Sequence, residues 1–108
     1  MSEEQKNDLQ VYETRRFAKA LSKLPENLLS VIEDEIEKII DNPKIGELKK
    51  GDLDFLRVHK FLLNSQLTLL GYCWKGEKIE LYLLDIGSHE NFYQEQKRYR
   101  KVDLKLIR

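Results

Sequence analysis

The sequence has few of the residues that form metal centres, disulfides and cofactor sites. Its 108 residues include one cysteine and two histidines, in neither CxxC nor HExxH spacing, so we expect no metal ion. The lone thiol of Cys73 cannot form an intramolecular disulfide, which favours a reducing compartment, the cytoplasm. The five glycines form no phosphate-binding loop, and the local signature of serine catalysis is missing. We therefore expect no cofactor.

Long apolar runs and an excess of charge of one sign are also missing. No stretch approaches the ~20 apolar residues of a membrane helix, so we expect no membrane partner. Nineteen Lys and Arg balance nineteen Asp and Glu, unlike the basic composition of many nucleic-acid-binding proteins. Residues 1–47 nevertheless carry eleven acids and seven bases, whereas residues 48–108 carry eight acids and twelve bases. This asymmetry fits either a local polyanion site in the second half or scattered surface charge.

The apolar pattern predicts one α+β domain, residues 1–108, that begins with a flexible tail at residues 1–7. Residues 8–13 fit a short first strand. Thr14 is a suitable N-cap for a helix, and Pro25 suits the first position of a second helix. These helices are predicted from apolar residues that recur every three or four positions: Phe17, Leu21, Leu24, Leu28, Leu29, Ile32, Ile36, Ile39 and Ile40. Because the break between the helices is short, we expect an antiparallel helical hairpin.

The second half changes to the pattern of strands. Three runs rich in Leu, Val, Ile, Tyr and Phe, at residues 55–63, 66–74 and 79–87, are separated by short polar breaks. Such breaks indicate hairpin turns, so the runs should form an antiparallel meander. Ser88 can cap a last helix that starts near His89. The predicted fold is an N-terminal strand and helical hairpin packed on a mainly antiparallel sheet, with a short C-terminal helix.

Polar residues at the start of the meander form one group of candidates. Arg57 and His59 are separated by one residue, so their side chains point to the same face of the strand. Lys49 and Lys50 lie in the loop that enters this strand. A lone histidine on a strand is usually an ordinary surface group, and loop lysines are most often solvated, so none of these residues is specific by itself.

A second group lies after the last strand of the meander. His89 is at the start of the predicted helix, and Tyr93 follows one turn later on about the same face. Together with the first group, these residues suit cleavage of RNA without metal. The reaction needs a base for the ribose 2′-hydroxyl, an acid for the leaving 5′-oxygen and positive charge for the phosphate. Tyr93 could also stack on an unpaired base or belong to the core, and His89 could be a plain capping-region residue.

The segments LKKGDLDFLRVHKF and LLDIGSHENFY, in this order, resemble the RelE/ParE superfamily of bacterial toxins from type II toxin-antitoxin modules. The second segment is similar to the Gly-Thr/Ser-His motif of the YafQ-like branch, which has an aromatic residue four positions after the histidine. The resemblance extends from about Asp8 to Arg100. It implies a metal-independent endoribonuclease that cuts messenger RNA, often on the ribosome, and that a cognate antitoxin neutralises.

The resemblance also implies a role for each candidate. His89 is the expected catalytic imidazole, His59 a second proton-transfer group, Arg57 a phosphate-stabilising cation and Tyr93 the aromatic residue near the scissile bond. The expected RNA-binding residues are Lys49, Lys50, Lys60, Arg98 and Arg100. For this chemistry, the four catalytic side chains must converge on one open concavity that holds a phosphate.

Two other functions fit the same resemblance. ParE-type members of the superfamily inhibit DNA gyrase without cleaving RNA, and a third possibility is a module that only binds its antitoxin. Retention of both histidines, Arg57 and Tyr93 favours the ribonuclease. The antitoxin is expected to cover the helical hairpin and the sheet, with Leu28, Leu29 and Val31 as candidate residues shared between the core and the partner in a toxin-antitoxin hetero-oligomer.

Overall fold

A computed structural model describes residues 8–108, so the predicted flexible tail at residues 1–7 lies outside the described residues. The helices and strands follow in this order: β1 (Gln10–Glu13), α1 (Arg15–Ser22), α2 (Glu26–Asp41), β2 (Glu47–Leu48), β3 (Arg57–Leu63), β4 (Gln66–Lys75), β5 (Glu80–Ser88), α3 (His89–Arg98) and α4 (Arg100–Ile107). A short 3-10 turn, Gly51–Leu53, lies between β2 and β3. The predicted α+β order is confirmed, whereas β2 and α4 were not predicted.

The local sequence signals act largely as expected. The Thr14 hydroxyl accepts a hydrogen bond from the Phe17 amide at 3.0 Å, which confirms the N-cap, and donates to the Leu84 carbonyl of β5 at 2.6 Å. Pro25 is the N-cap of α2 and not its first residue, because the helix begins one residue later. Asn64 and Ser65 both have positive φ angles, 52° and 65°, as a tight two-residue hairpin turn requires.

The five strands form one sheet in the order β1-β5-β4-β3-β2. Strand β1 is parallel to β5, and the other neighbouring pairs are antiparallel, which confirms the mainly antiparallel sheet. Strand β2 pairs with β3 at two positions only, Glu47 with Val58 and Leu48 with Arg57. No helix within the described residues is long and apolar enough to cross a membrane.

Helices cover both faces of the sheet. The face toward α1 and α2, here the hairpin face, is packed by a cluster of Phe17, Ile32, Ile39, Leu70, Tyr72, Leu81, Leu83 and Ile86. The face toward α3 and α4, here the C-terminal face, is packed by Leu53, Leu56, Val58, Leu69, Cys73, Tyr82, Leu84, Phe92 and Ile107. Because strand side chains alternate, each β3 residue belongs to one face or the other.

A buried network of charges fixes α1 to the C-terminal helices. The Arg16 guanidinium donates to both carboxylate oxygens of Asp103, at 3.0 and 2.8 Å, and to the Gln96 amide oxygen at 3.0 Å. Gln96 in turn donates to Asp85 at 2.7 Å, and Arg16 stacks 4.3 Å from the Tyr99 ring centroid. Burial opposes the charge of Arg16, but the contacts with Asp103 and Asp85 raise its pKa. The guanidinium therefore stays charged and joins three helices and one strand.

Candidate active site on the C-terminal face

Three of the predicted site residues meet on the C-terminal face. His89 is the first residue of α3, and its ring centroid lies 6.2 Å from that of Tyr93, edge to face at 82°. The Lys49 ammonium lies 5.1 Å from the Tyr93 ring centroid. His89 is exposed and Tyr93 is half-buried against the core of this face. The structure therefore places an imidazole, a phenol and an ammonium group side by side at the surface.

Strand β2 brings Lys49 to this position. The Lys49 amide donates to the Leu56 carbonyl at 2.9 Å, which continues the pairing of β2 with β3 by one residue. The ammonium also contacts the Glu47 carboxylate, and this hydrogen bond raises the pKa of Lys49 despite partial burial. Lys60 lies on the same face of β3 as Val58 and is exposed. The hydrogen bond with Lys49 is the main cause that lowers the pKa of Glu47, and the charge of Lys60 lowers it a little further. Lys49 and Lys60 are therefore positive groups beside Tyr93 and β3.

His59 does not belong to this cluster, so the structure does not bring it together with His89 and Tyr93. Its Nε2 atom lies 2.7 Å from Oε1 of Glu35 in α2, on the hairpin face, and both residues are buried. The His59 ring also stacks on Phe61, with centroids 5.7 Å apart. Burial alone would raise the pKa of Glu35, but hydrogen bonds from Lys38 and His59 lower it. The imidazole is therefore held by a carboxylate beneath α2.

Arg57 also lies on the hairpin face, so the structure does not bring it together with His89 and Tyr93. Its guanidinium donates to the Gly46 carbonyl at 2.9 Å and, more weakly, to the Lys44 carbonyl at 3.4 Å. The prediction that Arg57 and His59 share one face of the strand is confirmed. That face is covered by α2, however, and the sheet separates both residues from His89 and Tyr93. The four side chains do not converge on one concavity.

The remaining predicted RNA-binding residues are distributed around α3 and the loop. Arg100 donates from Nε to the Asp52 carbonyl at 2.7 Å, next to the loop that carries Lys49 and the exposed Lys50. Arg98 is directed to the other side of α3, because its guanidinium lies 3.8 Å from Glu95 and 5.6 Å from the Tyr99 ring centroid. Arg100 and Lys50 therefore lie beside the loop that carries Lys49, whereas the contacts of Arg98 are with Glu95 and Tyr99.

A cleft of about 300 Å³ lies on that other side of α3. Its walls include Arg16, Asn91, Glu95 and Tyr99, and none of the four predicted catalytic residues lines it.

The predicted antitoxin contacts Leu28, Leu29 and Val31 are half-buried in α2. Apolar side chains on α4 are more exposed than these residues, with Val102 63% exposed and Leu106 44% exposed. They border a mostly apolar groove of about 500 Å³ between α1 and α4.

The sequence analysis missed Glu35, which decides where His59 points. The signal was present, because Ile32, Glu35 and Ile39 are spaced as one helical stripe and all three are buried. A carboxylate on a buried stripe needs a hydrogen-bonding partner. Within residues 8–108, no group of three or more His, Cys, Asp or Glu side chains is arranged to hold a metal ion.

Comparison with known proteins identifies the family. Residues 11–97 match the family model of the ParE-like toxin of type II bacterial toxin-antitoxin systems. The chain belongs to this family. The match covers the sheet, the hairpin and α3, so the membership that the sequence motifs suggested is confirmed. No curated protein sequence matches the chain.

Solved structures of the E. coli toxin RelE show the same fold. A RelE double mutant in the free state is 17% identical, with a TM-score of 0.66 over 88% of this chain and 98% of that chain. RelE in the intact RelBE toxin-antitoxin complex is 20% identical, with a TM-score of 0.61 over 76% of this chain and 98% of that chain. The protein is therefore a type II toxin with the RelE/ParE fold.

Proposed function

We propose that this toxin is a metal-independent endoribonuclease that cleaves messenger RNA, in the cytoplasm and associated with the ribosome. The observation that carries the proposal is the surface cluster of His89, Tyr93 and Lys49, with ring centroids 6.2 Å apart and an ammonium group 5.1 Å from the phenol ring. Lys60 adds charge on the same face, as a polyanionic substrate requires. The RelE fold supports the same activity by analogy only.

The cluster provides the groups that transesterification of RNA needs. The ribose 2′-oxygen loses its proton and attacks the phosphorus, the bond to the 5′-oxygen breaks, and that oxygen takes up a proton. The products are a 2′,3′-cyclic phosphate and a free 5′-hydroxyl. His89 and Tyr93 are the two groups that can exchange protons, and Lys49 is the cation that stabilises charge on the phosphate. Tyr93 is also placed to stack on an unpaired base.

The decisive experiment compares the two histidines of the chain. Purified toxin is incubated with translating ribosomes, and the ends of the messenger RNA are mapped for the wild type, His89→Ala and His59→Gln. We expect His89→Ala to lower the cleavage rate at least ~100-fold, because general acid-base catalysis contributes about 10²–10⁴-fold. We expect His59→Gln to keep cleavage within a few-fold. Circular dichroism of each variant checks that it folds.

The alternative is inhibition of DNA gyrase without cleavage of RNA. The matched family model favours it, since that model describes ParE-like toxins. A gyrase supercoiling assay on the same preparations distinguishes the two functions. If the wild type produces no new RNA ends, blocks supercoiling, and His89→Ala still arrests growth, the ribonuclease proposal is wrong.

We further propose that a cognate antitoxin binds and neutralises this toxin. The E. coli RelE in the RelBE structure is held in a complex with its antitoxin. The exposed Val102 and Leu106 here are the kind of apolar surface that a partner protein covers. Co-expression of the product of a neighbouring gene should restore growth, and growth arrest that persists with each neighbour would contradict the pairing.

A further inference from the structure

Two side chains, the buried Tyr72 and the half-buried Arg57, hold the turn that connects α2 to β2. The Tyr72 hydroxyl donates to the Pro43 carbonyl at 2.6 Å and accepts from the Gly46 amide at 2.9 Å. The Arg57 guanidinium donates to the Gly46 carbonyl at 2.9 Å. Tyr72 is fully buried, and burial raises the pKa of its phenol, so the hydroxyl remains protonated and able to donate. Together, these side chains satisfy three backbone polar groups of the turn.

Glycine at position 46 permits this close contact. A Cβ atom there would lie 2.8 Å from both the hydroxyl and a ring carbon of Tyr72, closer than real contacts allow. The tyrosine ring is fixed in the hairpin-face core, so it cannot easily move away. The turn, Tyr72 and Arg57 therefore form one closely packed unit.

The strand that follows the turn is too short to fix its own position. Strand β2 has two residues, and one further hydrogen bond, from the Lys49 amide to the Leu56 carbonyl, extends its pairing. Lys49 comes directly after β2, and its ammonium is the group that reaches Tyr93 across the C-terminal face. A shift of the turn would move β2 and this ammonium with it.

We propose that Arg57 and Tyr72 are positioning residues, which hold residues 43–46 so that the Lys49 ammonium lies over Tyr93. The role in catalysis rests on the proposed ribonuclease function, in which Lys49 stabilises charge on the phosphate. Arg57 acts through the loop and from the opposite face of the sheet, without touching RNA. Tyr72 is fully buried, so its hydroxyl cannot contact RNA either. The two side chains should therefore have the same effect on activity.

The test compares Tyr72→Phe, Arg57→Ala and the double variant with Tyr82→Phe. Tyr82 is the matched control, because it is a buried tyrosine whose hydroxyl contacts Glu80, away from the turn. The first readout needs no RNA: the Tyr93 ring shifts the NMR signals of the Lys49 side chain. We expect these signals to move toward their unstructured positions in Tyr72→Phe and Arg57→Ala, and to stay in place in Tyr82→Phe.

The second readout is the rate of RNA cleavage. We expect both single variants to lower kcat on the order of 10–100-fold, as small displacements of catalytic groups do, with KM changed much less because the other lysines still bind RNA. The double variant should lose little more than the worse single variant, since both residues act on one turn.

The outcomes separate the two proposals. If the wild type cleaves RNA and Tyr72→Phe leaves both kcat and the Lys49 signals unchanged, the positioning role is wrong. A loss confined to Arg57→Ala would instead indicate direct contact of Arg57 with the phosphate and would also overturn it. If the wild type does not cleave RNA but the Lys49 signals move as expected, the ribonuclease proposal fails while the positioning of Lys49 stands.

Discussion

Removal of the Asp103 carboxylate should destabilise the folded protein, because it breaks the buried network that Arg16 forms. Asp103 is 1% exposed and receives two hydrogen bonds from Arg16, whose side chain is 16% exposed. Asp103→Ala would leave a largely desolvated guanidinium with the Gln96 amide oxygen and Asp85 as its remaining partners. Loss of one member of a buried ion pair costs about 3–5 kcal/mol. Because Arg16 retains two partners, we expect Asp103→Ala to lower the free energy of unfolding by about 2–3 kcal/mol.

Urea denaturation followed by circular dichroism measures this loss. With a slope of about 1–3 kcal/mol per molar urea, the midpoint should fall by about 0.7–3 M while the slope stays constant. Asp103→Asn keeps one acceptor oxygen, so its urea midpoint should lie between those of the wild type and Asp103→Ala. Glu95→Ala is the matched control, because it breaks an exposed contact with Arg98 at 3.8 Å, and exposed pairs contribute about 0–1 kcal/mol. Equal midpoints for Asp103→Ala and Glu95→Ala would refute the idea that this network holds α1 to α4.

Two further changes test the packing around the sheet. In the folded protein, the pKa of Glu35 lies below its ordinary value of 4.5. The ionised carboxylate therefore contributes fully to the unfolding free energy above pH 4.5. This contribution is lost as the pH falls through the pKa of the folded state. Glu35→Gln should therefore flatten the acid limb of a plot of unfolding free energy against pH, and an unchanged limb would contradict the stabilisation of the Glu35 carboxylate by Lys38 and His59. Gly71→Ala should cost about 1–3 kcal/mol because its methyl group would lie 2.8 Å from the Phe92 ring, whereas Gly87→Ala, with no atom within 4 Å, should be nearly neutral in the same urea titration.

Much of the fold follows from local patterns that act within a few residues. Thr14 caps α1 by a bond to the Phe17 amide, and Asn64 and Ser65 adopt the positive φ angles of a tight hairpin turn. These signals depend only on neighbouring residues, so a sequence contains them in full. The order of the elements and the mainly antiparallel sheet follow from them, because short connections leave few other arrangements.

Helix α4 was missed because its stabilising partner is distant in sequence. Residues 102–106 alternate apolar and polar side chains, the pattern of a strand, yet they are helical. The buried residues of α4 are Asp103 and Ile107, four positions apart, so the buried stripe of this helix contains a carboxylate. An acid at that position fits only because Arg16, 87 residues earlier, is bound to it. No local pattern contains that information.

The predicted site residues lie on two different faces of the sheet. The sequence does not show this for the same reason as before, because the contacts that decide it join residues distant in sequence. Alternation along β3 correctly placed Arg57 and His59 on one face, but it does not show what covers that face. Helices cover both faces of this sheet, so a polar residue on either face can be part of a buried contact. Glu35 on the buried stripe of α2 and His59 on β3 satisfy each other at 2.7 Å. A charged residue on a predicted helical stripe and a lone polar residue on a predicted strand should therefore be considered first as partners. Applied to this sequence, that rule pairs His59 with Glu35 and leaves His89 as the candidate imidazole.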